Sequence, residues 1–332
     1  MTKYTKIKFI AAFFLLILVA LLALCSGAGG TLWHELAVVW GSGATVDEAA
    51  LTVLGQIRLP RVIGAAATGG LLAAAGCTVQ LLFRNPLSSP HVLGSVNTAA
   101  LGAVLCLAAG GTTLLPMLLG STVGALLALV LLLFIGRGYQ QTSTLLLAGI
   151  ALNAFASAAM SGILFASGEH LEGIVFWLLG GFWNLDWQRS NILIFSMLVI
   201  VVILLNMRRE MNMLYLGERA AAAAGVDTKR VIFAAVSVSA LATAVVVGNC
   251  GVIGFVGLLI PHISRRIFGG EFRIHLLGSV LSGAILLIAA DWAARTLLSP
   301  LEIPVGILTS LIGAPFFFIL ILGRLKTSWG KE

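Results

Sequence analysis

Apolar runs long enough to cross a lipid bilayer recur along the whole of this chain, and that feature leaves few folds open to it. A run of about 17 to 25 apolar residues spans a hydrocarbon core of roughly 30 Å as a helix. Inside lipid the backbone has no water to bond, so only helices and closed barrels satisfy it. A barrel needs short segments of alternating polarity, whereas these runs are apolar on every side. The chain therefore reads as an all-α polytopic membrane protein, a single transmembrane domain over residues 1–332. Its composition agrees: 59% of residues are hydrophobic and 10% charged, far from the balance of a soluble domain.

Spans are predicted at residues 7–26, 62–83, 92–109, 113–135, 143–166, 190–207, 231–249, 252–264, 274–297 and 305–323, about ten in all. The first is too long for the core of a signal peptide and is expected to be retained. The eighth is too short to cross alone. Gly248, Gly251, Gly254 and Gly257 around its start predict broken helix held inside protein, where irregular backbone is tolerated. An even count puts both termini on one side. Placing them in the cytoplasm puts inside Lys3, Lys6, Lys8, Arg84, Arg137, Arg208, Arg209, Arg219, Lys229, Arg230, Arg265, Arg266, Arg273, Arg324, Lys326 and Lys331, 16 of the 20 basic residues. That asymmetry sets orientation. The net charge of +7 is thereby explained as topology and calls for no nucleic-acid partner. Glu35, Asp47, Glu48, Glu169, Glu172, Asp186 and Glu302 fall in the outer loops.

Small residues fill the spans. Gly64–Gly76 reads GAAATGGLLAAAG and Gly120–Ala128 reads GSTVGALLA, patterns that let helices approach closely in lipid. Two outer loops are long, residues 27–56 and 167–189; the second holds Trp177, Trp183 and Trp187, which suit short helices at the membrane interface. The longest inner loop, residues 208–230, has an alanine-rich centre from Gly217 to Gly225 that predicts a short helix with a glycine stop. Such a helix suits either a protein contact or a plain connector. Cys25, Cys77, Cys106 and Cys250 lack metal or disulfide spacing and read as packing residues.

No GxxxxGK[ST], HExxH or GxSxG motif occurs, so neither catalysis nor ATP hydrolysis is expected of the chain itself, and no cofactor or metal is called for. Asp291 is the one carboxylate deep in a span, with Arg295 four residues on; an intrahelical pair or a proton relay would explain it. A stand-alone secondary transporter or channel is the competing class, but it would be expected to carry more charge near the midplane.

The residues also carry a resemblance. Gln56–Leu87, QIRLPRVIGAAATGGLLAAAGCTVQLLFRNPL, with SPHVLGSVNTAALGAV from Ser89, closely resembles the permease family of iron-siderophore, haem and cobalamin importers, the FecCD type. TSTLLLAGIAL from Thr142, the segment around Gly217, GFVGLLIPHISRRIFG from Gly254 and ADWAARTLLSPLEIPVGILTSLIGAPFFF from Ala290 agree in the same order. Asn249-Cys250 and Asn97-Thr98 depart from its usual residues.

The resemblance implies an all-helical permease of ten spans, with helices two to five and seven to ten as inverted repeats. It would sit in a bacterial inner membrane, paired with a second permease as a homo- or heterodimer. Two ATPase subunits would lie beneath and an extracytoplasmic binding protein would deliver cargo. By similarity, Arg58, Arg61 and Arg295 would dock the binding protein. Gly217, Glu218, Arg219, Ala220, Ala221 and Gly225 would couple to the ATPase, and Thr142 and Ser143 would form a cytoplasmic gate. The fifth and tenth spans, including Asn153 and Gly306, would line the pathway. Pro261 and His262 read as a helix break beside a hydrogen-bonded histidine.

Overall fold

The computed structural model describes residues 3–27, 30–31, 51–136, 142–168 and 171–329. Much of the long loop predicted over residues 27–56 therefore lies outside the described residues. Helix α1 (Lys3–Cys25) ends in a two-residue antiparallel ladder, Ser26–Gly27 against Gly30–Thr31. A π-helical turn, Val53–Arg58, leads into α2 (Leu59–Leu82). There follow α3 (Ser95–Ala108), α4 (Leu114–Gly136), α5 (Thr142–Ala166), the short α6 (Leu171–Leu178) and α7 (Trp187–Asn206). Two short helices, α8 (Arg208–Leu216) and α9 (Glu218–Ala223), precede α10 (Thr228–Cys250), α11 (Val256–Phe268), α12 (Phe272–Thr296) and α13 (Val305–Trp329).

Every predicted span falls on a helix. Among the described residues seven are long and apolar enough to cross a membrane: α1, α2 with its lead-in turn, α4, α5, α7, α10 and α12. The expected count of ten exceeds those seven by three: α13 counts only as a shorter apolar helix, over Val305–Leu320, and the other two are α3 and α11. With 14 and 13 residues, at 1.5 Å of rise each is only about 20 Å long. Both follow irregular backbone. The break before α11 was legible in its glycines, and Phe255 there takes a left-handed φ of 63°. The break before α3 lies where the predicted spans 62–83 and 92–109 leave a gap and runs three residues further, to Gly94; its signal is Asn85-Pro86 and Ser88-Ser89-Pro90, which cannot continue a helix. Here Asn85 Oδ1 accepts from Leu87 N–H (3.0 Å) and Ser95 donates to Pro90 O (3.1 Å). Pro261, in contrast to expectation, lies inside continuous α11.

The small residues of α2 put that helix at the centre of the bundle, buried along most of its length. A Cβ on Gly69 would stand 2.0 Å from Gly283 O of α12, and one on Gly76 would stand 1.8 Å from Gly257 O of α11. Only glycine permits those backbone contacts, which replace the hydrophobic drive that lipid does not supply. Helix α4 packs on α3 and α10, while α2 packs on α12; an exchange between two four-helix units would produce that pairing of α2 with α12 and α4 with α10. Helix α1 stands at the periphery with Tyr4, Phe13 and Phe14 exposed.

Candidate functional site

Where α2 begins and α12 ends, four charged side chains converge. Arg61 Nε donates to both oxygens of Asp291 (2.9 and 3.2 Å), and its Nη2 lies 2.8 Å from Oδ1. Arg295 Nε donates to Asp291 Oδ2 at 3.1 Å. Glu302, from the loop after α12, closes the outer side of Arg61 at 3.0 Å. The predicted Asp291–Arg295 pair is thus real but is half of a cluster whose other arginine comes from α2, a pairing of residues 230 apart in sequence. Arg295 also caps α1 together with Arg58: Arg58 Nη1 donates to Leu24 O (2.8 Å) and Arg295 Nη2 to Ala23 O (3.1 Å). These are carbonyls of the last helical turn, which have no partner within the helix.

The three arginines expected to receive a partner's acidic residues are therefore brought together, but they are buried at 7%, 7% and 4% exposure for Arg58, Arg61 and Arg295. Glu302, 32% exposed at its side chain, is the group of the cluster that faces outward. Trp177 also departs from expectation, being 8% exposed rather than at an interface. Trp187, by contrast, donates to Gly55 O at 3.0 Å, tying α7 to the turn before α2.

At the other end of α2 and α12 the predicted alanine-rich helix is present. Gly217 (φ 124°) precedes α9 and Gly225 (φ 83°) follows it, both in backbone that favours glycine. Ala221 is fully buried, whereas Glu218, Arg219 and Ala220 are exposed. Helix α8, which sequence reasoning left within a loop, buries Met211 and Leu214. Its Asn212 Oδ1 accepts from Phe272 N–H at 2.9 Å. Its Tyr215 lies beneath Arg265 of α11, 4.5 Å from ring centroid to guanidinium, and also bonds it through the hydroxyl.

Between these ends the two irregular segments meet at a cavity of about 900 Å³. Its wall is one face of α13, Gly306, Ile307, Ser310, Leu311 and Ala314, facing Ser89 and His91 of the first break and Val252, Gly254 and Phe255 of the second. Gly306 borders this cavity, wedged so tightly that a Cβ would lie 2.2 Å from Leu179 O. Asn153 is not among the lining residues; its Nδ2 donates to His91 O at 2.6 Å, so it holds the wall from behind. Thr142 and Ser143 begin α5 as predicted, and their side chains lie outside the described residues.

His262 packs edge-on against Phe316 with centroids 6.5 Å apart. Nearby, His275 Nε2 donates to Pro261 O (2.8 Å) while Cys77 Sγ lies 3.3 Å from its Nδ1. The four cysteines are free thiols, and no cluster suited to a metal occurs among the described residues.

A membrane-embedded helical bundle whose interrupted helices meet at a wide cavity has the architecture of a transporter. The chain belongs to the FecCD transport family, which it matches over residues 15–323. Similar proteins include the cobalamin import system permease protein BtuC of Halobacterium salinarum, 36% identical over 90% of this chain and 81% of that protein. The hemin transport system permease protein HmuU of Yersinia pestis is 37% identical over 93% of this chain and 94% of its own length. The Fe(3+) dicitrate transport system permease protein FecD of Escherichia coli K12 is 35% identical, covering 91% and 94%. Among solved structures, an inward-facing conformation of a transporter assigned to the metal-chelate type of ABC transporter superposes with a TM-score of 0.86 at 33% identity, over 96% of this chain and all of that one. PsaBC from Streptococcus pneumoniae shares the fold, with a TM-score of 0.61 at 15% identity over 87% of this chain and 95% of that one.

Proposed function

We propose that the chain is the membrane-spanning permease subunit of an ATP-driven importer whose cargo is a bulky metal chelate, an iron chelate, haem or a corrinoid, moved into the cytoplasm of a bacterial cell. Membership of the family along nearly the whole chain carries this reading, and the names of three relatives supply the cargo classes. The cavity of about 900 Å³ lies at the upper end of the usual range for ligand sites. The chain would be a single permease domain with both termini cytoplasmic, paired with a second permease so that the α13 face of each borders a shared path. Thr142 and Ser143 would gate its inner end. ATP would be hydrolysed by two separate subunits gripping the 208–230 segment through the exposed side of α9, from Gly217 to Gly225.

A binding protein would dock outside, around the charged cluster. Because Arg61 and Arg295 already hold Asp291, docking through arginine requires an incoming carboxylate to compete with Glu302, the exposed partner. Charged rims of this kind set encounter rate and register more than affinity.

Proteoliposomes test the reading. Chain, ATPase and binding protein together should accumulate cobalamin, haemin or ferric dicitrate when ATP is supplied, and should do so with the proton gradient collapsed. The chain alone should be inert, and concentrative uptake by it alone would establish a secondary transporter instead.

A further inference from the structure

Helices α2 and α12 join the charged cluster to the α8–α9 segment, and they run antiparallel in one unbroken register. Arg61 meets Asp291 at 2.8 Å, Gly69 meets Gly283 backbone to backbone, and Cys77 meets His275 at 3.3 Å. From each contact to the next is about two turns on both helices. A pair held at its middle by glycine against glycine cannot slide by small amounts, because the side chains beside each glycine would enter the space that only hydrogen fills. Tightly packed elements of this sort move as one body.

Both ends of the pair are fastened. At one end the cluster of Arg61, Asp291 and Arg295 clasps the two helices together. At the other, Asn212 of α8 accepts from the first N–H of α12 at 2.9 Å. The guanidinium of Arg84, just past α2, sits 3.3 Å from where a Cβ on Gly217 would be. Helix α12 does not need Asn212 in order to start, since Glu271 already caps it by accepting from Arg273 N–H at 3.2 Å. What the Asn212 bond adds is the position of α8 relative to the end of α12.

We propose that α2 and α12 form a rigid strut carrying movement between the docking end and the ATPase-facing segment, and that Asn212 is the positioning residue seating that segment on the strut. The inference rests on the reading of α9 as the ATPase contact. It adds a route through the membrane and a residue outside the Gly217–Gly225 stretch.

The test uses the whole complex in nanodiscs with the ligand-free binding protein as probe. Asn212→Ala should leave the melting temperature and the affinity for the binding protein close to the parent. It should lower the ratio of stimulated to unstimulated ATP hydrolysis by about five-fold or more, the lower end of ordinary coupling between sites. Asn212→Asp keeps an acceptor oxygen and should keep the ratio. A parent-like ratio in Asn212→Ala overturns the strut, as does a lowered ratio that Asn212→Asp fails to restore. Ala221→Trp, which pushes α9 off its buried seat, checks the underlying reading separately. Loss of ATPase copurification there with a silent Asn212→Ala sinks the strut alone, and no effect from either variant sinks both.

Discussion

Replacing Asp291 by Asn preserves the shape of the side chain and deletes the charge on which two arginines depend. The carboxylate is 1% exposed and receives Arg61 at 2.8 Å and Arg295 at 3.1 Å. Removing one member of a buried ion pair costs about 3–5 kcal/mol, because the surviving charge stays buried without its partner. Here two charges survive. Arg61 keeps Glu302 at 3.0 Å and Arg295 keeps Ala23 O at 3.1 Å, which offset part of the loss and place the expected value near the middle of that range, about 4 kcal/mol. Such a loss lowers the folded-to-unfolded ratio by roughly a thousand-fold at 1.4 kcal/mol per decade. Unfolding in mixed micelles with rising dodecyl sulfate, followed by circular dichroism, reads it directly. Asp291→Leu combined with Arg295→Met removes an arginine with its carboxylate and should recover about half of the deficit, since an apolar replacement of a whole buried pair is often neutral. An Asp291→Asn protein within about 0.5 kcal/mol of the parent, the usual range for an inconsequential surface change, would refute the buried-cluster reasoning.

Three further outcomes follow from the same geometry. Gly76→Leu must drive α2 away from Gly257 O, 1.8 Å from the new Cβ; overpacking of about 3 kcal/mol or more should appear as a lower melting temperature in detergent. Asn153→Leu strips His91 O of a donor at 2.6 Å, and a buried acceptor left bare costs about 1–3 kcal/mol, so uptake by the reconstituted complex should fall while ATPase binding persists. Ala314→Trp projects into the cavity wall and should block uptake of all three test cargoes without loss of folding, measured as vesicle accumulation against thermal stability.

Much of this architecture was legible because lipid leaves few choices. Apolar runs located the helices, and the glycines from Gly248 to Gly257 marked one interruption. The small residues of α2 announced close packing, and Gly217 and Gly225 bracketed α9 at its true ends. What remained hidden was pairing across distance. Asp291 and Arg295 are visible as neighbours on one helix, but nothing local points to Arg61, because the partner of a buried charge is chosen by tertiary packing. The same holds for His275, which binds Pro261 O and Cys77 while the more conspicuous His262 packs on Phe316. The interruption over residues 84–94 was readable in the gap between the predicted spans, and only its end was misplaced, because the apolar Val92 and Leu93 drew the predicted span at 92–109 three residues ahead of the true start of α3.

The two interruptions flanking the cavity have a consequence for how its wall changes over generations. Peptide groups outside a helical ladder must be met by water or by other polar atoms, so Ser89, His91, Val252, Gly254 and Phe255 bring main-chain dipoles to a wall that is otherwise mostly apolar. Main-chain dipoles survive almost any substitution. A wall built in this way keeps those few polar points while its side chains drift, because they belong to the backbone and not to any one residue type.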